Sequence, residues 1–223
     1  GLLKLPKELR KLLAEAGVGP ARHIVVYSGM QEAADVKAAT RLFWILENCG
    51  YPRVSLLNGG FAKWKAEGKP VEKGASKVTA IDVESIDLNK FNATLAERAD
   101  VLRLIEHHTG TLLDLRVPEE YAGISKKDFV DTAGHIPRAQ SCPAGDFVQG
   151  PYFEFKTAGD LAKVLGEVEL KPGGPVVTYC NTGRDATIGY FGLRLQGIDK
   201  VKVYDGSMVE WSKQPAVKVE DPR

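Results

Sequence analysis

Two stretches decide how this chain folds: "LRKLLAEAGVGPARHIVVYS", residues 9–28, and "LAKVLGEVELKPGGPVVTYC", residues 161–180. Laid over each other at an offset of 152 without a gap, they put Leu9 over Leu161, Leu13 over Leu165, Val26 over Thr178 and Tyr27 over Tyr179. Ser28 falls on Cys180. The first copy then carries five extra residues within "SGMQEAADVKAAT", after which an offset of 147 holds. It sets Thr40 over Thr187, Phe43 over Tyr190, Gly50 over Gly197, Val54 over Val201, Gly59 over Gly206 and Trp64 over Trp211. One unit is present twice, and its single insertion is expected in the loop that follows Ser28.

Each copy reads as helix, strand, loop, helix, strand. "ELRKLLAEAG" has apolar residues at helical spacing and a glycine stop. "HIVVYS" and "PVVTYC" are short β-branched runs of the kind found in fully buried parallel strands. "ATRLFWILENCG" and "ATIGYFGLRLQG" are the next helices, and "RVSLLNGG" and "KVKVYDGS" the next strands. The alternation predicts an α/β fold, with right-handed βαβ units and parallel sheets flanked by helices. The second copy also has an upstream part, residues 111–143, with a buried strand "TLLDLR" and a helix start "VPEEY". The first copy has no counterpart, so its sheet is expected to lack a strand that an upstream or separate segment would supply. Residues 71–110 join the copies, as an extended connector followed by a helix over "NATLAERADVLRLIEHH" with Asn92 as N-cap and Leu95, Val101, Leu102 and Ile105 on its apolar face.

The 223 residues are 43% hydrophobic and 26% charged, as in globular proteins. A net charge of +1 argues against a nucleic-acid or anionic-membrane partner. No apolar run approaches the ~20 residues of a membrane span. Three cysteines, Cys49, Cys142 and Cys180, stand at wide irregular spacing, which is neither a disulfide framework nor a metal site. Compartment stays open.

Cys180 ends a strand, and ligands of parallel α/β sheets sit at the carboxyl ends of strands. The loop "NTGRDA" that follows can turn backbone N–H groups inward, and a helix N-terminus near Thr187 adds positive partial charge. Both favour thiolate, the nucleophilic form. The competing reading is an inert buried thiol. Ser28 at the equivalent place, with no arginine in its loop, fits a duplicated enzyme that keeps its chemistry in one copy.

"LLDLRVPEEYAG", "GHIPRAQ", "VVTYCNTGRDAT" and "VKVYDGSMVEWS", in that order, resemble the rhodanese domain, and the two-copy layout resembles tandem-domain sulfurtransferases acting on thiosulfate or 3-mercaptopyruvate. The resemblance implies a partial, inactive domain over residues 1–70, a linker with a helix over 71–110 and a catalytic domain over 111–223. It implies that Cys180 takes a sulfane sulfur as a persulfide and passes it to cyanide or a thiol, with no metal or organic cofactor. The loop amides around Asn181, Thr182, Gly183, Arg184, Asp185 and Ala186 would stabilise thiolate and persulfide. Asp114 and Arg116 match the family's Asp-x-Arg strand end, as a loop-ordering pair or as substrate contacts.

Departures bear on the donor. Thiosulfate enzymes carry basic residues just after the cysteine, and mercaptopyruvate enzymes typically Gly-Ser-Gly-Val-Thr, where this chain has Asn-Thr-Gly-Arg-Asp. Both usually place a substrate-binding arginine where Glu120 stands, before Tyr121. A carboxylate there would repel a dianionic donor, and Asp185 offsets Arg184. These residues favour a small or protein-borne persulfide as donor. A phosphatase cradle would need Cys-x5-Arg, whereas the sixth residue after Cys180 is Ala186. The remaining rival is a non-catalytic rhodanese-like module that binds a partner or senses redox state. His107 and His108 are expected at the surface, His135 in a structural hydrogen bond, Trp44, Trp64 and Trp211 in packing, and Cys49 and Cys142 as buried apolar groups.

Overall fold

A computed structural model describes residues 3–87, 89 and 91–213; two connector positions, 88 and 90, and residues 214–223 of the second domain lie outside the described residues. The chain divides into two compact units, Leu3–Ala93 with Gly150–Glu154, and Thr94–Gln149 with the chain from Phe155 onward.

In the first unit, helix α1 (Pro6–Glu15) starts on a proline whose missing N–H is no loss there, and buries Leu9 and Leu13. Strand β1 (Ile24–Val26), helix α2 (Ala33–Asn48), strand β2 (Val54–Leu56) and helix α3 (Gly60–Ala66) follow. β1 and β2 pair in parallel from Ile24↔Val54 to Val26↔Leu56. α2 buries Val36, Phe43, Trp44 and Leu46. Trp64 is half-buried, its indole N–H donating to Pro70 O. Among the described residues β1 pairs only with β2, and Val25 and Tyr27 are 52% and 62% exposed. The connector is tied to α1: Ile81 N–H donates to Ala14 O, and Arg10 donates to Val83 O and Glu84.

The insertion after Ser28 corrects the sequence reading. α2 is 16 residues long, and its repeat counterpart is 10. The extra residues therefore lengthen the helix at its N-terminus, and the loop itself is no longer than the one after Cys180. "EAADVK" is built largely from good helix formers, which explains the outcome.

The second unit runs β3 (Leu95–Ala96), α4 (Arg98–His107), β4 (Thr111–Asp114), α5 (Pro118–Tyr121), β5 (Ala139–Ser141), a 3-10 turn Ala144–Phe147, β6 (Val148–Gln149) and β7 (Glu154–Phe155). It continues through α6 (Ala158–Gly166), β8 (Val176–Tyr179), α7 (Ala186–Leu195), β9 (Val201–Tyr204) and α8 (Ser207–Trp211). Five strands form one parallel sheet in the order β3-β9-β8-β4-β5. Every residue of the adjacent inner strands β4 and β8 is buried, and of the third inner strand, β9, all but Lys202, as two covered faces require. One packing cluster gathers Val101, Leu112, Val177, Tyr179, Tyr204, Met208 and Trp211. α7 buries every residue from Ala186 to Leu193, and Gly192 leaves room for the Phe147 ring, which a Cβ would meet at 2.2 Å.

The helix expected from Asn92 begins instead at Arg98, behind Glu97, whose side chain joins Asp100 in a reciprocal capping box. Asn92 has φ +68° and lies outside the helix. Leu95, expected on its apolar face, sits in edge strand β3 and pairs with Val203. Residues 94–110 thus fold with the second unit.

Candidate active site

The register Asp114↔Tyr179 and Thr178↔Val203 brings the carboxyl ends of β4, β8 and β9 to one side of the sheet. The residues just past those ends, Arg116, Cys180 and Asp205 to Ser207, are therefore neighbours by construction. Cys180 is fully buried. Its sulfur accepts hydrogen bonds from the backbone N–H groups of Ala186, Thr182 and Asp185. Gly183 makes the wrap possible: its φ is +76°, and a Cβ there would meet Asp205 Oδ1 at 2.4 Å and Asp205 O at 2.8 Å. Arg184 is exposed, and its carbonyl accepts from Thr187 N and Oγ1.

The backbone of Cys180 is held from below by the start of α8. Met208 N–H donates to Cys180 O at 3.0 Å and Val209 N–H to Asn181 O at 3.0 Å. Ser207 Oγ accepts from Cys180 N–H at 3.1 Å and donates to Tyr204 O at 2.8 Å. Ser207 does this at φ +48°, a region that serine seldom adopts, with its side chain wholly buried. Asp205 and Ser207 belong to the site although neither was singled out from the sequence. The available signal was the repeat, in which Ser207 lies over a glycine, Gly60.

The acidity of Cys180 departs from expectation. The three N–H groups pull towards thiolate as foreseen, but burial, followed by the charge of Asp185, outweighs them and raises the pKa above its ordinary value of 9.0. Cys142 and Cys49 are pushed up as well, each to about 12, chiefly by burial, and Asp146 adds to the effect at Cys142. Cys142 N–H donates to Asp114 O. No group of metal-binding side chains occurs among the described residues.

Asp114 and Arg116 form a buried ion pair in which the guanidinium contacts both carboxylate oxygens. Arg116 Nη2 also donates to Gly134 O at 2.8 Å, and the Tyr179 hydroxyl accepts from Ile136 N–H. The pair thereby anchors the "GHIP" segment to the strand ends, a charge-assisted clamp. His135 is buried, its ring stacked on Tyr121 at 3.9 Å and Nδ1 2.9 Å from Tyr121 O, while His107 and His108 are exposed.

Glu120 is a second buried acid brought against the loop, besides Asp205. It is buried, and its Oε2 accepts from Asn181 Nδ2 at 2.7 Å. Oε1 lies 3.3 Å from Lys127 Nζ, whose side chain is 57% exposed.

Comparison with known proteins meets this geometry. The rhodanese-like domain family matches residues 1–67 and again 97–214. This chain belongs to that family. It is 25% identical over 225 residues to the 3-mercaptopyruvate sulfurtransferase of Escherichia coli, covering 98% of this chain and 75% of that protein. It is 29% identical over 224 residues to the sulfur carrier protein TtuD of Thermus thermophilus, covering 96% and 76%. The crystal structure of YnjE superposes with a TM-score of 0.86 at 26% identity, over 100% of this chain and 54% of that one. The chain spans 64% of the length of a putative thiosulfate sulfurtransferase of Synechococcus elongatus, to which it is 30% identical over 219 residues, and 76% of that of TtuD. Two family segments, one at each copy of the repeat, agree with the internal duplication.

Proposed function

We propose that this chain transfers sulfane sulfur through a persulfide on Cys180. The observation that carries the reading is a buried sulfur ringed by three inward-facing backbone N–H groups at the carboxyl end of the central strand. Such a cradle suits a sulfur that alternates between neutral and anionic states, because fixed dipoles stabilise charge without reorganising. Names of curated relatives, sulfurtransferase and sulfur carrier protein, support the same reaction class.

In loading, the Cys180 thiolate attacks the outer sulfur of a donor persulfide R–S–SH. The Sγ–S bond forms, the donor's S–S bond breaks, and the donor leaves as a thiolate. In discharge, a thiol or cyanide attacks the outer sulfur, and the electron pair of the Sγ–S bond returns to Cys180. Ser207 holds the Cys180 backbone in place, and Asp114 and Arg116 order the segment beside it. Buried Glu120 and nearby Asp185 favour a persulfide donor, small or protein-borne, over dianionic thiosulfate or anionic mercaptopyruvate.

Intact-mass spectrometry after exposure to a donor panel tests this. The expected result is a gain of about 32 Da, one sulfur atom, on the native chain and none on Cys180→Ser. No gain with polysulfide, cysteine persulfide or thiosulfate would leave the module reading, in which the domain binds without turnover.

A further inference from the structure

We infer that the small molecule exchanging sulfur at Cys180 carries a protonated amine, received by Asn181 and Glu120; this builds on the sulfur-transfer reading above. Asn181 follows Cys180 directly and is only 8% exposed. Its Nδ2 donates to Glu120 Oε2 at 2.7 Å, which fixes the amide orientation, since the swapped amide would set oxygen against carboxylate. Asn181 Oδ1 is therefore the free end of that amide, and it has no hydrogen-bond partner among the described residues. A buried carbonyl oxygen without a donor costs about 1–3 kcal/mol, which an N–H from a ligand recovers.

Glu120 adds charge to this acceptor. Its carboxylate is buried, and the ammonium already beside it, Lys127, reaches in on a largely exposed side chain. The protein thus displays on itself the kind of group the carboxylate receives from the solvent side. Of the acids in this neighbourhood Glu120 and Asp205 are buried and Asp185 is half-buried; of the cations, Arg116 is buried and engaged by Asp114, while Lys127 and Arg184 are exposed. A dianion would be repelled by the Glu120 carboxylate beside Asn181, whereas an aminothiol or its persulfide places an ammonium against Glu120 and an N–H on Asn181 Oδ1.

For an aminothiol acceptor the step balances as an exchange. The thiolate sulfur bonds to the outer sulfur of Cys180–S–SH, the bond from that sulfur to Sγ breaks, and Sγ keeps the electron pair. The proton stays on the transferred sulfur, giving the aminothiol persulfide and the Cys180 thiolate.

The test loads the native chain with inorganic polysulfide and follows loss of the added sulfur by intact mass. Discharge by cysteamine is compared with discharge by 3-mercaptopropionate, thiols of similar size and opposite charge. The ratio of the two rates, taken across variants, cancels their intrinsic reactivity. In Glu120→Gln the ratio falls about tenfold, the effect of 1.4 kcal/mol at the transition state. In Lys127→Met, which removes the competing ammonium at the surface, the ratio rises a few-fold. Opposite movement in the two variants supports the inference, and any other pattern in protein that loads with sulfur overturns it. Should Glu120→Gln not fold, the surface variant decides alone. Failure of the native chain to load with any donor instead strikes the sulfur-transfer reading.

Discussion

The loops after Ser28 and Cys180 stand at equivalent strand ends of the two copies and have opposite contents. Their scaffolds coincide. In the first copy Phe61 N–H donates to Ser28 O and Ala62 N–H to Gly29 O, the same two bonds that Met208 and Val209 make to Cys180 and Asn181. Gly60, at φ +53°, takes the place of Ser207 at φ +48°. The interiors then diverge. In the first copy Asp35, on the lengthened α2, accepts from Gln31 N–H through its carboxylate and from the Ser28 hydroxyl through its carbonyl, and Met30 is fully buried against Gly60. The chain has filled that cradle with its own side chains. In the second copy the loop N–H groups face the cysteine sulfur, and a serine in strained backbone replaces glycine to hold Cys180 N–H. Duplication kept the frame, and a few side chains decide which frame can host chemistry.

The comparison breaks most completely at the sulfur. Cys180→Ser, which copies the first loop into the second, abolishes sulfur loading, and Ser28→Cys, read by peptide mass mapping after polysulfide treatment, restores none because Asp35 and Met30 occupy its surroundings. Gly183→Ala comes next. Its methyl group meets Asp205 in a backbone conformation unfavourable to alanine, so denaturant unfolding shows a loss of about 2–4 kcal/mol and loading slows markedly. Ser207 offers a finer contrast. Ser207→Ala strands the buried Cys180 N–H and costs about 1–3 kcal/mol in the same assay. Ser207→Gly, the first copy's residue, loses the same bond but regains about 1 kcal/mol of backbone strain, so it is the more stable of the two. Asp185→Asn has the smallest effect. It removes a charge that raises the Cys180 pKa, so the pH profile of iodoacetamide labelling moves to lower pH and labelling near neutrality quickens a few-fold.

The same acidity fixes a sign for stability. The folded chain holds the Cys180 proton beyond the ordinary thiol value of 9.0. The contribution is fully present below that pH and is lost as pH rises through the folded pKa, which places it on the alkaline side.

Much of this was legible in the sequence, because buried parallel strands and glycine stops leave local traces that a repeat doubles. Cys180 and its loop stood out for that reason. Three features escaped for physical reasons. Strand β3 is two residues long, and its pairing with β9 comes from a partner more than a hundred residues away, so Leu95 reads locally as helical. Ser207 adopts a backbone conformation that nothing in serine announces, and only its overlay on Gly60 hints at it. The acidity of Cys180 is a balance between inward N–H groups, which a loop sequence suggests, and desolvation, which only the packed structure supplies. Asn181 shows the same limit, since its contact with Glu120 joins positions 61 residues apart.

The bare side of β1 carries a consequence for handling the protein. Val177 and Tyr179, buried between β4 and β9, correspond to Val25 and Tyr27, which are exposed in and just after β1, a strand that pairs only with β2 among the described residues. An open edge of this kind is a template for any strand that reaches it, and for a second molecule as much as for a segment of the same one. Where no other segment covers that edge, association between molecules is expected to rise with concentration. Dynamic light scattering across a dilution series would register that growth, and Val25→Lys, a charge set on the open strand, would suppress it.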